Sequence, residues 1–353
     1  MCQRVLSILI IALGISLAVA AYRDMPIAHA QAQPFYQGKT IRIVVGFTPG
    51  GFYDRWARLL ARYMPKYIPG NPEMIVQNMP GASSVIAANH VYNVGRADGL
   101  TVGMPINSLY LDQLVGRKEV QFDVRKFEWI GTQEKSGSML YIRTDSPYKT
   151  IDDVVKSKET PKCGATGTAS TGYILPKVLE EVFGARFAIV LGYPGGSEID
   201  LAVQKGEVVC RGSDIPSHFG REPFITWHKE GFDRHLVQDS KKRDPRLAEA
   251  PTVWELMEQY KTLEASRRVA EVILTAVEFG RPMMATPGTP ADRVKILRDA
   301  YAKAMADPGL IEEASKGKMD MELTRGEVLQ KLVKEVIEQP PEVIARVKKV
   351  LGE

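Results

Sequence analysis

The sequence has almost no excess of either charge and only 3 cysteines in 353 residues. Its 46 basic and 42 acidic residues leave a formal charge of +4, which excludes the dense basic surface that nucleic-acid binding requires. The hydrophobic fraction of 44% and the charged fraction of 25% exclude disordered, collagenous and polytopic membrane proteins. One hydrophobic core rarely serves a chain of this length, so we expect two lobes.

An apolar run of full membrane-spanning length is also lacking. The run at 5–21 follows Arg4 and is shorter than the about 20 residues of a spanning helix. Small residues follow it, so the pattern predicts a secretory signal peptide over residues 1–30. Cleavage between about Ala20 and Ala32 satisfies the small-x-small rule at several points, and an uncleaved anchor is the alternative. The sequence therefore predicts an exported chain.

The scarcity of cysteine leaves one pair in the mature protein, because Cys2 is removed with the signal. Cys163 and Cys210 either form a disulfide in an oxidising compartment or remain two buried thiols. They fall on the first and third strands of the same predicted lobe. If that lobe orders its strands 2-1-3, as doubly wound sheets commonly do, the two cysteines lie on neighbouring strands.

The mature chain repeats one unit, a short β-branched run, then a loop of small residues, then an amphipathic stretch of helical period. The first unit is the strand IRIVV at 41–45, the loop GFTPGG and a helix through Trp56, Leu59 and Leu60. Later strands at 162–165, 187–191 and 208–211 end in the loops GTASTG, GYPGGS and GSDIPS. This alternation predicts α/β organisation.

The series divides into two α/β lobes joined by two crossings. We expect lobe 1 to comprise residues 34–140 and 244–353, and lobe 2 to comprise residues 141–243. The C-terminal helices then return to lobe 1. In open α/β sheets, ligands collect at the carboxyl ends of the strands, so two facing lobes form a ligand cleft.

The motifs of the common catalytic and cofactor sites are missing. His90, His218, His228 and His235 show neither HExxH nor any other metal-ligand spacing. Ser170 lies in GTASTG, which is not the G-x-S-x-G nucleophile elbow. Neither GxGxxG nor GxxxxGK[ST] occurs, so the sequence predicts no metal, no nucleotide cofactor and no covalent catalysis.

The strand-to-helix loops instead present backbone N–H groups at helix N-termini, where four donors and about half a positive charge attract anions. Hydroxyl groups supplement them at Thr48, Ser83, Ser84, Thr168, Ser170, Thr171 and Ser197. The alternative is that each hydroxyl only caps its own helix. Because such hydroxyl-bearing loops at helix N-termini recur in both predicted lobes, an anion site is favoured over simple capping.

These loops resemble those of a known family. The segment from IRIVV to HVYN contains PGGxxDxxAR and an N-x-PGA loop, and it is similar to the opening of Bug-type substrate-binding proteins of tripartite tricarboxylate transporters. Further similar segments are GATGTASTG, YPGGSEIDLAVQKGEV, KKRDPRLAEAPTVWEL and ATPGTPADRVKILRDAYAKAMADP. They follow the family order from about residue 39 to residue 308.

The resemblance implies a periplasmic binding protein of type II, with two lobes that each hold a mixed, mainly parallel sheet flanked by helices. It implies that the chain acts as a monomer, captures a small organic carboxylate in the cleft, and delivers it to a permease of one large and one small membrane subunit. It implies no catalysis, cofactor or nucleic-acid partner.

The family's ligand loops correspond to two segments here, and the implied site residues are Thr48, Gly50, Gly51, Phe52, Thr168, Ala169, Ser170 and Thr171. Asp54 is expected to orient its helix rather than to touch an anion. Asp214 either lines the cleft opposite or forms an Asx-turn. Neither loop contains Lys or Arg, so we expect backbone amides to hold the anion, with Arg211 and Arg143 as competing anchors.

This sequence departs from the family pattern in its aromatic residues. Phe52 and Tyr53 replace small residues, Tyr173 opens the helix after the second loop, and Pro176 interrupts its first turns. They either reshape the pocket for a longer or aromatic acid, or pack in the core. A periplasmic enzyme using Asp214 and His218 as acid and base is the alternative function, and a structural interaction protein is a third.

Overall fold

The computed structural model describes residues 33–135 and 137–352. The predicted signal peptide lies outside these residues. The strands, in chain order, are β1 (Thr40–Val45), β2 (Glu73–Asn78), β3 (Thr101–Met104), β4 (Glu128–Thr132), β5 (Ser138–Arg143), β6 (Lys162–Gly164), β7 (Ala188–Val190), β8 (Cys210–Asp214), β9 (Asp233–Gln238), β10 (Met283–Ala285) and β11 (Thr324–Arg325).

The helices alternate with these strands through the first two thirds of the chain and dominate the last third. They are α1 (Phe52–Tyr63), α2 (Val85–Asn93), α3 (Leu109–Val115), α4 (Ile151–Lys156), α5 (Thr171–Phe183), α6 (Gly196–Lys205), α7 (Ile215–Gly220), α8 (Phe224–Glu230), α9 (Val253–Gln259), α10 (Glu264–Leu274), α11 (Ala276–Phe279), α12 (Ala291–Met305), α13 (Pro308–Lys316), α14 (Gly326–Ile337) and α15 (Pro341–Val350). Among the described residues, none of these helices combines the length and apolar character that crossing a membrane requires.

The strands form two mixed sheets. The first has the order β11-β4-β10-β3-β1-β2, with β1 parallel to β2 and β3 and with β10 antiparallel to its neighbours. The second has the order β7-β6-β8-β5-β9, in which β7, β6 and β8 are parallel and β5 is antiparallel to both of its neighbours, β8 and β9. The predicted two-lobed α/β fold with mixed sheets is confirmed.

The first unit shows how the sequence produces these layers. In β1, Ile41 and Ile43 to Val45 are fully buried, because helices cover both faces of this central strand. Helix α1 buries Trp56, Leu59 and Leu60, the residues that the helical period selects. It ends where a 3₁₀ turn takes in Pro65, whose ring cannot continue the helix.

The parallel core of the second sheet has the predicted strand order 2-1-3, since β7, β6 and β8 lie side by side in that sequence. Cys163 of β6 pairs directly with Cys210 of β8. The two residues form a disulfide. Their Cα atoms are 4.4 Å apart, a separation within the range that disulfide geometry permits. The predicted proximity is confirmed, and the pair is bonded rather than reduced.

Two connections join the sheets, from β4 to β5 and from β9 to β10. Helices α14 and α15 pack against β4 and α3 respectively, on the side of the first sheet. Helices α9 and α10 instead pack against α5, which follows β6 of the second sheet. The exact limits of the two lobes stay a prediction.

Candidate functional site

A cavity lies where the loops that follow β1, β3, β6 and β8 meet. Its volume is about 90 Å³, several times the roughly 10–15 Å³ that one water molecule requires, so it suits a small molecule. It is lined by Phe47, Thr48, Gly51, Phe52, Tyr53, Ile106, Asn107, Thr166, Ser170, Thr171, Gly172, Gly196, Ile199, Arg211, Gly212, Ser213, Asp214, Ser217, Arg221 and Arg281. Loops at strand carboxyl ends therefore form its walls, as open α/β sheets arrange them.

The structure brings most of the predicted site residues together at this cavity. Both predicted loops contribute, and so does the end of β8; the lining includes Thr48, Gly51, Phe52, Ser170, Thr171 and Asp214. Gly50, Thr168 and Ala169 are not among the lining residues.

Each of these three has a different structural position. The N–H of Gly50 donates to Asp54 Oδ2 at 2.9 Å. Thr168 Oγ1 donates to Asp112 Oδ1 at 3.4 Å. Ala169 is fully buried, and its carbonyl accepts a hydrogen bond from Ser108. They support the loops instead of facing the cavity.

The N-terminus of α5 forms one wall of the cavity. Its N-cap residue, Ser170, makes no side-chain cap, because its hydroxyl donates to the carbonyl of Gly167 at 2.6 Å. The first N–H groups of an α-helix have no intrahelical acceptor, so this helix end retains its capacity to bind an anion. Pro176 does not break the helix, which continues to Phe183; the missing proline N–H removes one backbone bond near its start.

The N-terminus of α1 forms the wall opposite. Gly51 is its N-cap and also makes no side-chain cap. Asp54 is buried and accepts hydrogen bonds from Gly50, Arg58 at 2.9 Å and Asn78 at 3.0 Å. Burial raises the pKa of Asp54, but these hydrogen bonds outweigh it, so the pKa lies below its ordinary value. Asp54 therefore holds the loop, as expected, and does not line the cavity.

Arg211 on β8 and Arg221 share one carboxylate beside the α5 terminus. Arg211 donates to Asp200 and to the carbonyl of Gly196. Arg221, just after α7, donates to the other oxygen of Asp200. Their side chains are 12% and 11% exposed. Asp200 can neutralise only one of these two positive charges, and Asp214 at the end of β8 also interacts electrostatically with Arg211.

A third arginine, Arg281, is buried opposite them. It forms ion pairs with Glu134 and Asp214, and its guanidinium lies 4.5 Å from the ring centroid of Phe52 and 5.0 Å from that of Tyr53. Burial lowers the pKa of Arg281 to about 10, which leaves it charged at neutral pH. Phe52 and Tyr53 thus pack against a cation as well as bordering the cavity.

No sequence motif pointed to Arg221 or Arg281 as cavity residues. Both lie outside the motif loops. Their positions next to the end of a helix or the start of a strand were the sequence feature that could have indicated a place at the cavity. Of the two competing anchors, Arg211 lines the cavity. Arg143 instead pairs with Asp145 and donates to the carbonyl of Val203 at 2.8 Å, and it is not among the lining residues. Arginine side chains therefore line the cavity beside the helix termini, and the expectation that backbone amides hold the anion stays a prediction.

Comparison with known proteins identifies the family. The model of the "Tripartite tricarboxylate transporter family receptor" matches residues 57–348. The chain belongs to this receptor family. A relative from Cupriavidus necator, the "UPF0065 protein in gbd 5'region", is 31% identical over 316 residues, which cover 88% of this chain and 87% of the relative.

The fold of the receptor is also similar to solved structures. It resembles the periplasmic binding protein BugD, with a TM-score of 0.69, 21% identity and coverage of 89% of this chain and 98% of BugD. It also resembles MatC from Rhodopseudomonas palustris, solved with bound malate, with a TM-score of 0.68, 20% identity and coverage of 89% and 99%.

The acid and base of the enzymatic alternative are not suitably placed in this receptor. Asp214 accepts the N–H of Ser217 at 3.0 Å as the cap of α7, and it also pairs with Arg281. His218 is fully buried and is not among the lining residues. Burial lowers the pKa of His218 to about 3, so its ring is neutral. Asp214 and His218 therefore do not face the cavity together as an acid–base pair.

The prediction that the histidines form no metal-ligand group was wrong. The linear spacing of His218, His228 and His235 gave no metal-ligand pattern, yet the fold brings these three side chains together with Asp233. They come from three separate elements, so their proximity depends on tertiary packing. Spacing along the sequence could not reveal it.

Proposed function

We propose that this chain is a periplasmic receptor that captures a small organic carboxylate in the cavity between its two sheets. The proposal includes export with cleavage of the signal peptide, delivery to a permease of one large and one small membrane subunit, and no catalytic step. It treats residues 34–140 and 244–353 as one lobe and residues 141–243 as the other. The protein acts as a monomer.

The observation that carries the proposal is the wall that combines the α5 terminus with Arg211 and Arg221. A helix N-terminus contributes roughly half a positive charge, and the arginine pair adds a charge that Asp200 does not neutralise. A carboxylate bound here accepts charge-assisted hydrogen bonds, which are about twice as strong as neutral ones. The hydroxyls of Ser170 and Thr171 border the same wall.

The small size of the cavity favours an acid of few atoms. Phe47 and Tyr53, whose ring centroids are 4.6 Å apart, border it with Phe52 and supply an apolar surface. That combination suits a short chain with a carboxylate at the α5 wall. The malate held by MatC is an acid of this kind.

Contacts between the two sheets surround the cavity. Ser83 Oγ lies 3.0 Å from Thr166 Oγ1, and Arg55 donates to the carbonyl of Gly220 at 3.0 Å. These hydrogen bonds connect segments of the two proposed lobes, and opening of the lobes would break them. We infer that capture proceeds by opening and closing of the lobes, as binding proteins of two domains commonly do.

A thermal-shift screen with mono-, di- and tricarboxylates, aliphatic and aromatic, tests the proposal. A ligand of micromolar affinity, about −8 kcal/mol, raises the free energy of unfolding by about 4 kcal/mol at a thousandfold excess over its dissociation constant. Failure of every carboxylate to raise the melting temperature would refute carboxylate binding.

The hit is then incubated with the protein, recovered and identified by mass spectrometry. Unchanged ligand supports a receptor, whereas a converted product supports the enzymatic alternative. Native mass spectrometry of protein from the natural host identifies the physiological ligand. Amino-terminal sequencing of the same sample tests signal cleavage, because a chain beginning at Met1 contradicts it.

A further inference from the structure

Four side chains outside the cavity form a histidine–aspartate cluster. They are His218 on α7, His228 on α8, and Asp233 and His235 on β9. Each offers one ligand atom, and these atoms all lie within 4.8 Å of one another. Asp233 and His235 are two residues apart on a strand, so their side chains emerge on the same face of the sheet.

The distances match one coordination sphere. His218 Nε2 lies 2.8 Å from Asp233 Oδ2 and 2.9 Å from His235 Nε2, and His235 Nε2 lies 3.4 Å from Asp233 Oδ2. His228 Nδ1 is 3.2 Å from Asp233 Oδ1. Ligands about 2.0–2.2 Å from a tetrahedral metal are roughly 3.3 Å from one another. The atoms of His218, His235 and Asp233 already lie near these separations, whereas His228 contacts the other oxygen of Asp233 and has to move towards them to complete a tetrahedron.

Hydrogen bonding within the cluster satisfies these atoms poorly. A neutral imidazole nitrogen carries either one proton or one lone pair. The three atoms His218 Nε2, His235 Nε2 and Asp233 Oδ2 all contact one another. If one of the two nitrogens carries a proton, it can donate to the other two atoms, but those two atoms then face each other as acceptors. A cation at the centre of the triangle pairs with all three lone pairs at once.

Asp233 supplies a second and independent observation. Its side chain is 1% exposed, and a buried carboxylate requires a positive partner. Among the described residues, the ion-pair partners found for Asp233 are His218, His228 and His235, with no lysine or arginine. A divalent cation at this position would give the buried carboxylate a positive partner.

The surroundings favour a closed site. The ring of Phe219 stacks on that of His228 with centroids 4.6 Å apart, and Phe224 lies 4.1 Å from His218. An apolar shell of this kind excludes water and strengthens bonds to a cation. The side chains of His228 and His235 are 23% and 19% exposed, which leaves one side open for the ion to enter.

We propose that His218, His228, Asp233 and His235 bind one divalent transition-metal ion, with zinc as the best match. Three imidazole nitrogens and one carboxylate oxygen suit zinc and its neighbours, whereas magnesium and calcium prefer oxygen ligands. Four protein ligands in a tetrahedron are typical of a structural site. The ion ties α7 and α8 to β9.

This site is distinct from the carboxylate cavity but shares a helix with it. His218 faces the cluster, while its neighbour Ser217 lines the cavity. Metal binding therefore fixes the helix that carries one wall of the cavity. The proposal does not depend on the identity of the carboxylate, because zinc binding is measured without it.

The test uses the protein without an affinity tag, stripped with a chelator and titrated with zinc chloride against a chromophoric chelator. We expect one zinc per chain and a melting temperature that rises with zinc concentration. Cobalt chloride should give the visible absorption spectrum of tetrahedral cobalt. Absence of zinc binding to the wild-type protein would overturn the proposal.

Variants locate the site. Loss of outer-shell partners commonly costs about 10–100-fold in metal affinity, so His235→Gln should weaken zinc binding by at least about 100-fold. His228→Gln, at a partly exposed position, provides a second test if His235→Gln fails to fold. His90→Gln on α2 is the matched control and should retain the wild-type affinity. Unchanged zinc affinity in both folded cluster variants would place the metal elsewhere and refute the assignment.

Discussion

Asp214 at the end of β8 forms an ion pair with Arg281, which comes just before β10 of the first sheet. This contact joins the two sheets across the cavity. Arg281 also pairs with Glu134, and both members of that second pair have side chains that are 1% exposed. A buried ion pair of this kind is strongly destabilised when only one partner is removed.

Replacement of Arg281 by methionine should therefore lower the free energy of unfolding by about 3–5 kcal/mol, because Glu134 is left buried without its cation. The double variant Arg281→Met/Glu134→Gln should recover a large part of this loss. Urea unfolding of the two proteins measures the difference. Equal stabilities of the single and double variants would contradict the explanation.

An exposed pair serves as the control for that experiment. Arg243 lies 2.9 Å from Glu255, with side chains 42% and 49% exposed. Solvent screens such pairs, so Arg243→Met should change the free energy of unfolding by only about 0–1 kcal/mol.

The contrast between local and tertiary features explains what the sequence could predict. Alternating patterns and small-residue loops identified strands and helices, as α1 (Phe52–Tyr63) shows, because it buries the predicted apolar residues Trp56, Leu59 and Leu60. The strand order followed from a general rule of doubly wound sheets, and it correctly placed Cys163 beside Cys210. Features that every α/β unit repeats could therefore be predicted from the sequence.

The remaining features depend on contacts between distant segments. Arg281 meets Asp214 across a sequence separation of 67 residues, and no local pattern distinguishes either residue from an exposed charge. The cluster of His218, His228 and His235 depends on the packing of two short helices against β9. Even within the loop GTASTG, only side-chain direction decides that Ser170 and Thr171 line the cavity while Thr168 contacts Asp112.

The disulfide gives a second stability prediction. Cys163 and Cys210 are 47 residues apart in sequence, and closing a loop of that length stabilises a folded chain by about 4 kcal/mol in the chain-entropy model. Cys163→Ala/Cys210→Ala should lose about 2–4 kcal/mol in urea unfolding. Alkylation of the denatured wild type should label the two thiols only after reduction; labelling without reductant contradicts the bond.

The pH dependence of stability should reveal Asp239. Burial raises the pKa of Asp239 to about 7, although a hydrogen bond from the N–H of Ser138 at 2.6 Å opposes the shift. The folded chain thus holds this proton more tightly than the unfolded chain, in which an ordinary Asp has a pKa of about 3.9. The wild type therefore loses stability as the pH rises from about 4 to about 7.

Asp239→Asn removes this proton without removing the acceptor of the Ser138 bond. A shift of about three pKa units corresponds to about 4 kcal/mol, so the stability of the variant relative to wild type should rise by up to that amount between pH 4 and pH 8. Chemical unfolding at a series of pH values measures it. Glu342→Gln removes one charge at an exposed position and controls for net charge; a flat difference for Asp239→Asn contradicts the shift.

The last prediction concerns how the carboxylate is held, and it separates the helix terminus from the arginines. Thr171→Asp places a negative charge at the N-terminus of α5, where it repels the bound carboxylate and can cap the helix in its place. We expect isothermal titration with a carboxylate found by the screen to show little or no binding. Thr171→Asn, of nearly the same size but neutral, should weaken binding by only about tenfold, since one neutral hydrogen bond contributes about 0.5–1.5 kcal/mol.

The arginines contribute by charge, so Arg221→Gln should weaken binding more than Thr171→Asn does. A hydrogen bond to a charged group contributes about 1.5–3 kcal/mol, which corresponds to roughly 10–150-fold in affinity. Arg143→Gln removes an arginine that pairs with Asp145 outside the cavity and should leave the affinity unchanged. Wild-type affinity in both Thr171→Asp and Arg221→Gln would show that the carboxylate does not bind at the α5 wall. If only Arg143→Gln lost binding, Arg143 would be the anchor and the carboxylate would bind outside the cavity, because Arg143 does not line it.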